Sequence, residues 1–250
     1  MNQRLPAAIL GMMLAASSHA ASPINIEALG SVRHPGMHTL PTDARLSAAA
    51  LAAGPDEQAY MLGAALLRSQ AVPAQARLKA GVLFDLELLA AQSSTAEAAT
   101  HMQRQFQHMP VTGRAMQMLD PRPLEATLAQ NTPAQNGDRL VYPRRPDTVS
   151  VIGAVLKPCT FRHDSLTSAT TYRAQCPAFP AANRDALFVI QPDGSHQKIG
   201  IAAWNRQRAT SLAPGAVVFV PLAEHLVRNI APAINEEAAA FLATQVLDAR

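Results

Sequence analysis

The sequence predicts an α+β protein built from two similar domains in tandem. The main evidence is a phrase at residues 30–36 (GSVRHPG) that returns in altered form at residues 153–159 (GAVLKPC). A second phrase closes each copy, GDRLVYP at 137–143 and GAVVFVP at 215–221. Two phrases that recur in the same order are typical of a duplicated domain. The first copy is longer by about 45 residues, which predicts an insertion within it.

The first domain, residues 21–143, begins with a strand over Ile24–Val32 that runs into a turn at His34-Pro35-Gly36. Proline fixes φ and has no backbone N–H, so it suits the end of a strand. Thr42 and Asp43 are residue types that cap helices, and they predict a short helix over Ala44–Ala53 that ends at a glycine.

The insertion is predicted at about residues 55–109, where the sequence is rich in Ala, Leu, Gln and Met. The spacing of apolar residues predicts a first helix over Asp56–Gln70 and a second over Pro73–Gln92. Ser94 and Glu97 form a capping box that predicts a third helix, ending near His108. We expect these helices to pack on the side of the first domain.

The second domain, residues 144–221, is more compact. Pro192-Asp193-Gly194 predicts the turn of a hairpin between two apolar strands. The predicted elements are, in chain order, strand Val149–Val155, helix Ser168–Ala174, strands Leu187–Ile190 and Gln197–Ile201, and strand Val217–Val220. A strand, a hairpin and a helix in about 70 residues indicate a β-grasp unit.

Residues 222–250 predict an amphipathic C-terminal helix, with or without a kink at Pro232. Leu222, Leu226 and Ile230 recur at helical spacing. Charges interrupt the apolar stripe, and a charge at the centre of a bilayer costs about 3 kcal/mol or more. We therefore expect this helix to pack on the second domain and not to enter a membrane.

The first 20 residues predict a secretory signal peptide. Arg4 supplies a positive charge, Leu5–Ala16 is apolar, and Ser18-His19-Ala20 offers a cleavage site. The apolar stretch is shorter than the roughly 20 residues that a membrane anchor needs. No later segment is apolar for long enough to span a membrane, so the sequence predicts a soluble protein outside the cytoplasm.

The charge balance argues against nucleic acid as a partner. The chain has 21 basic and 18 acidic side chains, and its arginines are scattered. A nucleic-acid-binding protein needs a clustered basic face.

Cys159 and Cys176 are the two cysteines of the chain. In an oxidising compartment such a pair predicts a disulfide. A metal site and a redox pair are the alternatives, and the wide spacing, unlike that of a CxxC motif, argues against both.

The sequence predicts no enzyme, no cofactor and no metal site. It contains no nucleophile elbow, no HExxH motif and no phosphate-binding glycine loop. His34 and His38 flank one turn, but no third ligand stands at metal-site spacing.

Two residues are candidates for ligand binding. Arg114 follows the insertion and could bind a carboxylate or phosphate through its guanidinium fork, or could form a structural salt bridge. Trp204 could stack on a sugar ring or could pack in the core.

The chain resembles the capsule-biosynthesis GfcC family of Gram-negative periplasmic proteins. The resemblance is carried by Val189–Gly194, Gly200–Asn205, Pro214–Pro221, Thr112–Arg114 and Leu119–Pro121. More distantly, the units are similar to the soluble-ligand-binding β-grasp domains of polysaccharide export proteins. The second copy departs from the first in carrying Cys159 where the first has Gly36, so this position need not adopt a left-handed conformation.

The resemblance implies a non-enzymatic periplasmic factor for assembly or export of capsule or exopolysaccharide. Its expected partners are polysaccharide or polysaccharide-export proteins, and we expect a monomer. A polysaccharide-modifying enzyme and a general envelope scaffold that binds other proteins through the insertion are the alternative hypotheses.

Overall fold

The structure is a computed structural model, and it describes residues 22–207 and 211–248. It confirms the α+β class: the described residues form two five-stranded mixed sheets with helices packed against them. The predicted signal peptide, residues 1–20, lies outside the described residues.

The first domain forms a sheet with the strand order β2-β1-β5-β3-β4. In it β1 runs parallel to β5, and the other neighbours are antiparallel. Its elements are β1 Ile24–Gly30, β2 Gly36–Leu40, α1 Leu46–Ala53, β3 Ala65–Leu67, α2 Val72–Ala90, α3 Ala96–Gln107, β4 Arg114–Ala115, α4 Pro121–Ala126 and β5 Arg139–Tyr142.

The second domain has the equivalent strand order, β7-β6-β10-β8-β9, with one parallel pair, β6 and β10, at the equivalent place. The repeat predicted from the sequence is therefore a repeat of topology. Its elements are β6 Thr148–Gly153, β7 Cys159–Arg162, α5 Ala169–Gln175, β8 Ala186–Ile190, β9 His196–Gly200 and β10 Val217–Val220.

The repeated opening phrase forms the same backbone bonds in both domains. The N–H of Ser31 donates to the carbonyl of Tyr142, and the N–H of Ala154 donates to that of Val220. Gly153 has a φ of 101°, and a Cβ on it would lie 2.3 Å from the Val220 carbonyl oxygen. The close parallel pairing of β6 with β10 therefore requires glycine at this position.

The insertion lies between β3 and β4, at residues 68–113, where the second domain has only the short hairpin turn 191–195. The helix predicted over Asp56–Gln70 is wrong. This segment forms a 3₁₀ turn at Met61–Gly63 and then β3, in which Leu66 pairs with Leu140 of β5. Burial in the middle of a sheet overrides the helix propensity of its Ala and Leu residues.

The other two helices of the insertion are present, as α2 and α3. The predicted caps differ: Thr95 precedes α3, and its hydroxyl donates to the Leu89 carbonyl to close the turn from α2. Similarly, α1 begins after Arg45 and has no side-chain cap from Thr42 or Asp43. It ends as predicted at Gly54, which has a left-handed conformation.

The expectation that the insertion packs on the first domain is also wrong. Its buried apolar side chains belong to the same core as the second sheet. The core residues contributed by the insertion are Val82, Leu86, Leu89, Ala98, Ala99, Met102 and Phe106. The first domain has a separate, smaller core around α1, which includes Ile26, Leu46 and Tyr142. One face of the second domain is thus completed by a segment of the first.

The C-terminal segment forms two helices, α6 Glu224–Val227 and α7 Ile234–Ala243, with Pro232 between them. As expected, α7 packs on the second domain, where it contacts β8 and β9; it also contacts α2. Phe241 of α7 is fully buried. No helix within residues 22–207 and 211–248 has the length and apolar character needed to cross a membrane.

Candidate functional site

Arg114, the first candidate, lies in β4 at the junction of the two domains and is 6% exposed. Its Nη2 donates to the Pro192 carbonyl at 2.6 Å, and its Nη1 donates to the Gln245 carbonyl at 2.8 Å and the Ala243 carbonyl at 3.5 Å. Burial lowers the pKa of Arg114, and the charge of Asp193 opposes that shift. The side chain thus joins the first sheet to the β8–β9 turn and to the chain after α7.

The segment that carries Arg114 is itself fixed by Gln75, a buried residue of α2. The Gln75 side chain donates to the Arg114 carbonyl at 2.8 Å and accepts from the N–H of Gly113 at 2.8 Å. A Cβ on Gly113, whose φ is 75°, would lie 2.7 Å from the Arg68 carbonyl oxygen. The TGR phrase is therefore a tight structural junction, and the direct partners of Arg114 are backbone carbonyls. Neither binding of a carboxylate or phosphate nor a structural salt bridge, the two roles predicted for Arg114, describes these contacts.

Trp204, the second candidate, is 78% exposed, so the core-packing interpretation is wrong. It does not extend β9, which ends at Gly200, but stands in the turn that follows. The turn comes so close to the strand that a Cβ on Gly200 would lie 2.2 Å from the Asn205 carbonyl oxygen. This return of the chain directs the indole away from the sheet and into solvent.

The indole of Trp204 borders a groove of about 710 Å³ at one end of the second sheet. Three segments form its walls: the loop before β8, the turn after β9, and the start of α6. The polar and charged residues that line it are Asn183, Arg184, Asp185, Lys198, Asn205, Glu224, His225 and Arg228.

Hydrogen bonds hold the first two of these segments together. The Asn205 side chain donates to the Asp185 carbonyl at 3.0 Å and accepts from the N–H of Ala202 at 3.0 Å. The N–H of Ile201 also donates to the Asp185 carbonyl, at 2.8 Å. Asn183, which is buried, accepts from the N–H of Asp185 at 2.8 Å. The turn that carries Trp204 is thus fixed relative to the loop that carries Arg184.

The basic side chains in the groove are of two kinds, paired and unpaired. Lys198 is paired, because its ammonium lies 2.7 Å from Glu224 and 3.0 Å from Glu236. Its partial burial lowers its pKa, but the hydrogen bonds and charges of these two carboxylates outweigh burial, so the pKa is raised. Arg184 and Arg228 are exposed, and neither side chain has a hydrogen bond or ion pair with another described residue.

Arg184 and Arg228 are not among the candidates that the sequence predicts. They are far apart in the chain, and each is one of many scattered arginines. Only the topology brings the start of β8 and the start of α6 to the same end of the sheet, beside Trp204. The structure does not bring Arg114 and Trp204 into this groove together.

The predicted disulfide is confirmed: Cys159 at the start of β7 is bonded to Cys176 at the end of α5. Cys176 is fully buried in the core of the second domain. No residue other than glycine has a positive φ among those described, so Cys159 differs from Gly36, whose φ is 106°. The cysteine that replaces glycine in the second copy thus forms a covalent link between β7 and the end of α5.

The described residues contain no group of three His, Cys, Asp or Glu side chains that could hold a metal ion. His34 and His38, which flank one turn, make a local contact, since Nε2 of His38 lies 2.8 Å from the His34 carbonyl oxygen.

Two comparisons with known proteins bear on the role of the molecule. Residues 161–247 match a family model described as capsule biosynthesis GfcC C-terminal. The matched region contains β8, β9, β10, both C-terminal helices and therefore the whole groove. The chain is also 28% identical, over 177 residues, to the uncharacterized protein YjbG of Escherichia coli strain K12; the match covers 70% of this chain and 72% of YjbG.

Proposed function

We propose that this chain, whose residues 161–247 match the GfcC family of capsule-biosynthesis proteins, is a non-enzymatic periplasmic factor. In this proposal it binds polysaccharide during capsule or exopolysaccharide assembly or export. The main support for the proposal is the exposed indole of Trp204 at the border of the groove. The apolar face of a sugar ring packs on an aromatic ring while its hydroxyls reach the polar groups around it. The groove offers both kinds of surface.

The proposed location follows from the cysteines and the family. A disulfide between Cys159 and Cys176 fits an extracytoplasmic compartment, because disulfides persist in oxidising environments. The match to a capsule-biosynthesis family also fits an extracytoplasmic location. Together with the signal peptide predicted from the sequence, these observations support a periplasmic location.

Binding to a protein of the export machinery is a second candidate. It is favoured by α2, whose outer face is apolar and exposed. The residues of this face stand four apart and are Val72, Ala76, Ala80, Phe84 and Leu88. Loss of a protein partner in a pull-down with Phe84→Asp, with glycan binding unchanged, would assign this face to protein binding.

The main proposal is tested by calorimetric titration of the purified protein with polysaccharide prepared from its own source organism. We expect the native protein to bind the polysaccharide. Trp204→Ala should lower the affinity by about 3- to 10-fold, because one aromatic contact contributes a free energy of that size. Phe84→Ala is the matched control, since it also removes an exposed aromatic ring. A deletion strain complemented with Trp204→Ala should export less polymer than one complemented with the native gene. Equal binding by the native and Trp204→Ala proteins would contradict the proposal.

A further inference from the structure

The geometry points to a ligand class for the groove: we propose that it binds a glycan segment that contains a hexuronic acid. The sugar ring stacks on the indole of Trp204, and its carboxylate lies between Arg184 and Arg228. This inference rests on the proposed function, because it concerns the same groove, and it adds that the bound sugar is anionic.

Arg184 and Arg228 have no partners within the described part of the protein that would keep them from binding an anion. Both line the groove with their side chains exposed, and neither is paired with another described residue. A structural arginine has partners, as Arg68 shows with Asp138 at 2.9 Å and Arg114 with three carbonyls. Arginine presents a planar fork of donors that matches a carboxylate. Two unpaired guanidinium groups in one groove are thus available to an anion.

Lys198, the third cation of the groove, is paired with carboxylates of the protein and is not available to a ligand. Lys198 also lines the groove, but Glu224 and Glu236 hold its ammonium group. Its amine lies 5.6 Å from the centroid of the Phe188 ring, which further fixes its position. Lys198 therefore supports the wall of the groove, and the positive potential available to a ligand comes from Arg184 and Arg228.

The balance of charge favours a ligand with one negative group. Glu224 and Glu236 together hold Lys198, and with Asp185 they balance the three cations of the groove, so the positive charge left to a ligand is local to Arg184 and Arg228. Two guanidinium groups beside the single carboxylate of Asp185 suit one negative group, such as the carboxylate of one hexuronic acid. The carboxylate of Asp185 can accept hydrogen bonds from sugar hydroxyls. The combination of anion-binding and hydroxyl-binding groups beside an aromatic ring is what a uronic acid requires.

The backbone segments that carry these groups are held in place by hydrogen bonds. Two hydrogen bonds from the turn after β9, one of them from the Asn205 side chain, reach the Asp185 carbonyl, next to Arg184 in the chain. The N–H of Arg228 donates to the Glu224 carbonyl, which keeps Arg228 on the helical turn that continues α6. A site held in this way loses less conformational entropy on binding than one on mobile loops.

The experiment compares hexagalacturonate with its carboxyl-reduced form, a neutral hexasaccharide of the same length and linkage, by calorimetry with the full chain at low salt. We expect hexagalacturonate to bind about 10-fold more tightly. Arg184→Ala and Arg228→Ala should each weaken its binding by about 3- to 5-fold, as for exposed ion pairs, and leave the neutral ligand unaffected. Trp204→Ala should weaken both ligands. Arg77→Ala, on the exposed face of α2, is the control for the loss of an arginine.

Equal affinity for the charged and the neutral hexasaccharide would overturn the inference, and so would the absence of binding by either. The proposed function would survive both results if polysaccharide from the source organism still bound through Trp204. A preference for hexagalacturonate that persists in the Arg184→Ala/Arg228→Ala double variant would place the anion elsewhere and would also overturn it. Circular dichroism of each variant separates loss of binding from loss of folding.

Discussion

Phe106 of α3, in the insertion of the first domain, packs edge-on against Phe219 in the central strand of the second sheet, with ring centroids 6.3 Å apart. It also lies 6.0 Å from the ring of Phe241 in α7. One residue thus joins the first domain, the second sheet and the C-terminal helix. Because these parts share a core, we expect them to unfold together.

The first prediction concerns Phe106→Ala. The side chain is fully buried, so its truncation leaves a cavity and should lower the free energy of unfolding by about 3–5 kcal/mol. Urea denaturation followed by far-ultraviolet circular dichroism measures this loss. The control is Phe84→Ala in α2, where the ring is 60% exposed and the change should be within about 0.5 kcal/mol. Similar effects of the two substitutions would contradict the shared core.

The second prediction concerns Arg114→Ala. The substitution leaves the carbonyls of Pro192, Ala243 and Gln245 without their charged donor at a buried junction. We expect the free energy of unfolding to fall by about 2–4 kcal/mol, because hydrogen bonds to a charged group contribute about 1.5–3 kcal/mol. The same denaturation experiment tests it, and glycan affinity should be unchanged in the folded variant.

Arg139→Ala is the matched control for Arg114→Ala. Its guanidinium pairs with Glu27 at 2.6 Å, but the two side chains are 49% and 34% exposed. Such pairs contribute about 0–1 kcal/mol. If Arg114→Ala cost no more than Arg139→Ala and weakened glycan binding instead, Arg114 would be a ligand-binding residue and not a junction.

The elements with strong local signals could be predicted from the sequence. The turn residues of the repeat, the proline near the start of α2 and the glycine after α1 each act within a few residues of the element they define. The first predicted helix of the insertion failed because β3 is only three residues long and consists of Ala and Leu. Its strand conformation comes from pairing with β5, a contact between distant parts of the chain. Comparison of β3 with β8 at the equivalent place in the repeat could have revealed it.

The site was only partly predictable for the same reason. Trp204 was noticed by its residue type, but its exposure depends on the tight return after Gly200. Arg184 and Arg228 become functional candidates only when the topology brings β8 and α6 together. The packing of the insertion on the second domain also could not be predicted, because an apolar stripe specifies burial and not the partner that buries it.

The third prediction concerns the Cys159–Cys176 disulfide. Alkylation of the native, unreduced protein should label no thiol, as measured by intact mass. The cross-link joins residues 17 apart and should contribute about 3 kcal/mol by restricting the unfolded chain. The Cys159→Ser/Cys176→Ser variant should therefore fold but melt several degrees lower. A reducing agent should lower the melting temperature of the native protein and leave that of the variant unchanged. If the reductant affects neither protein, the disulfide does not stabilise the fold.

The fourth prediction uses Trp204, the only tryptophan of the chain, as a reporter of charge in the groove. Its indole is 78% exposed, so soluble quenchers should reach it readily. The unpaired guanidinium groups of Arg184 and Arg228 should attract anions and repel cations over a Debye length of about 10 Å at 0.1 M salt. Iodide should therefore quench the fluorescence more strongly than caesium, and the difference should shrink as the ionic strength rises.

Substitution of both arginines by alanine should bring the iodide and caesium quenching constants close together, whereas Arg77→Ala should leave them apart. Acrylamide, which is neutral, should quench all of these proteins equally, because the exposure of the indole does not change. Bound hexagalacturonate should protect the native protein from all three quenchers, since the stacked sugar covers the ring. Equal quenching by iodide and caesium in the native protein would show that the groove has no positive potential, and would remove the electrostatic basis for an anionic ligand.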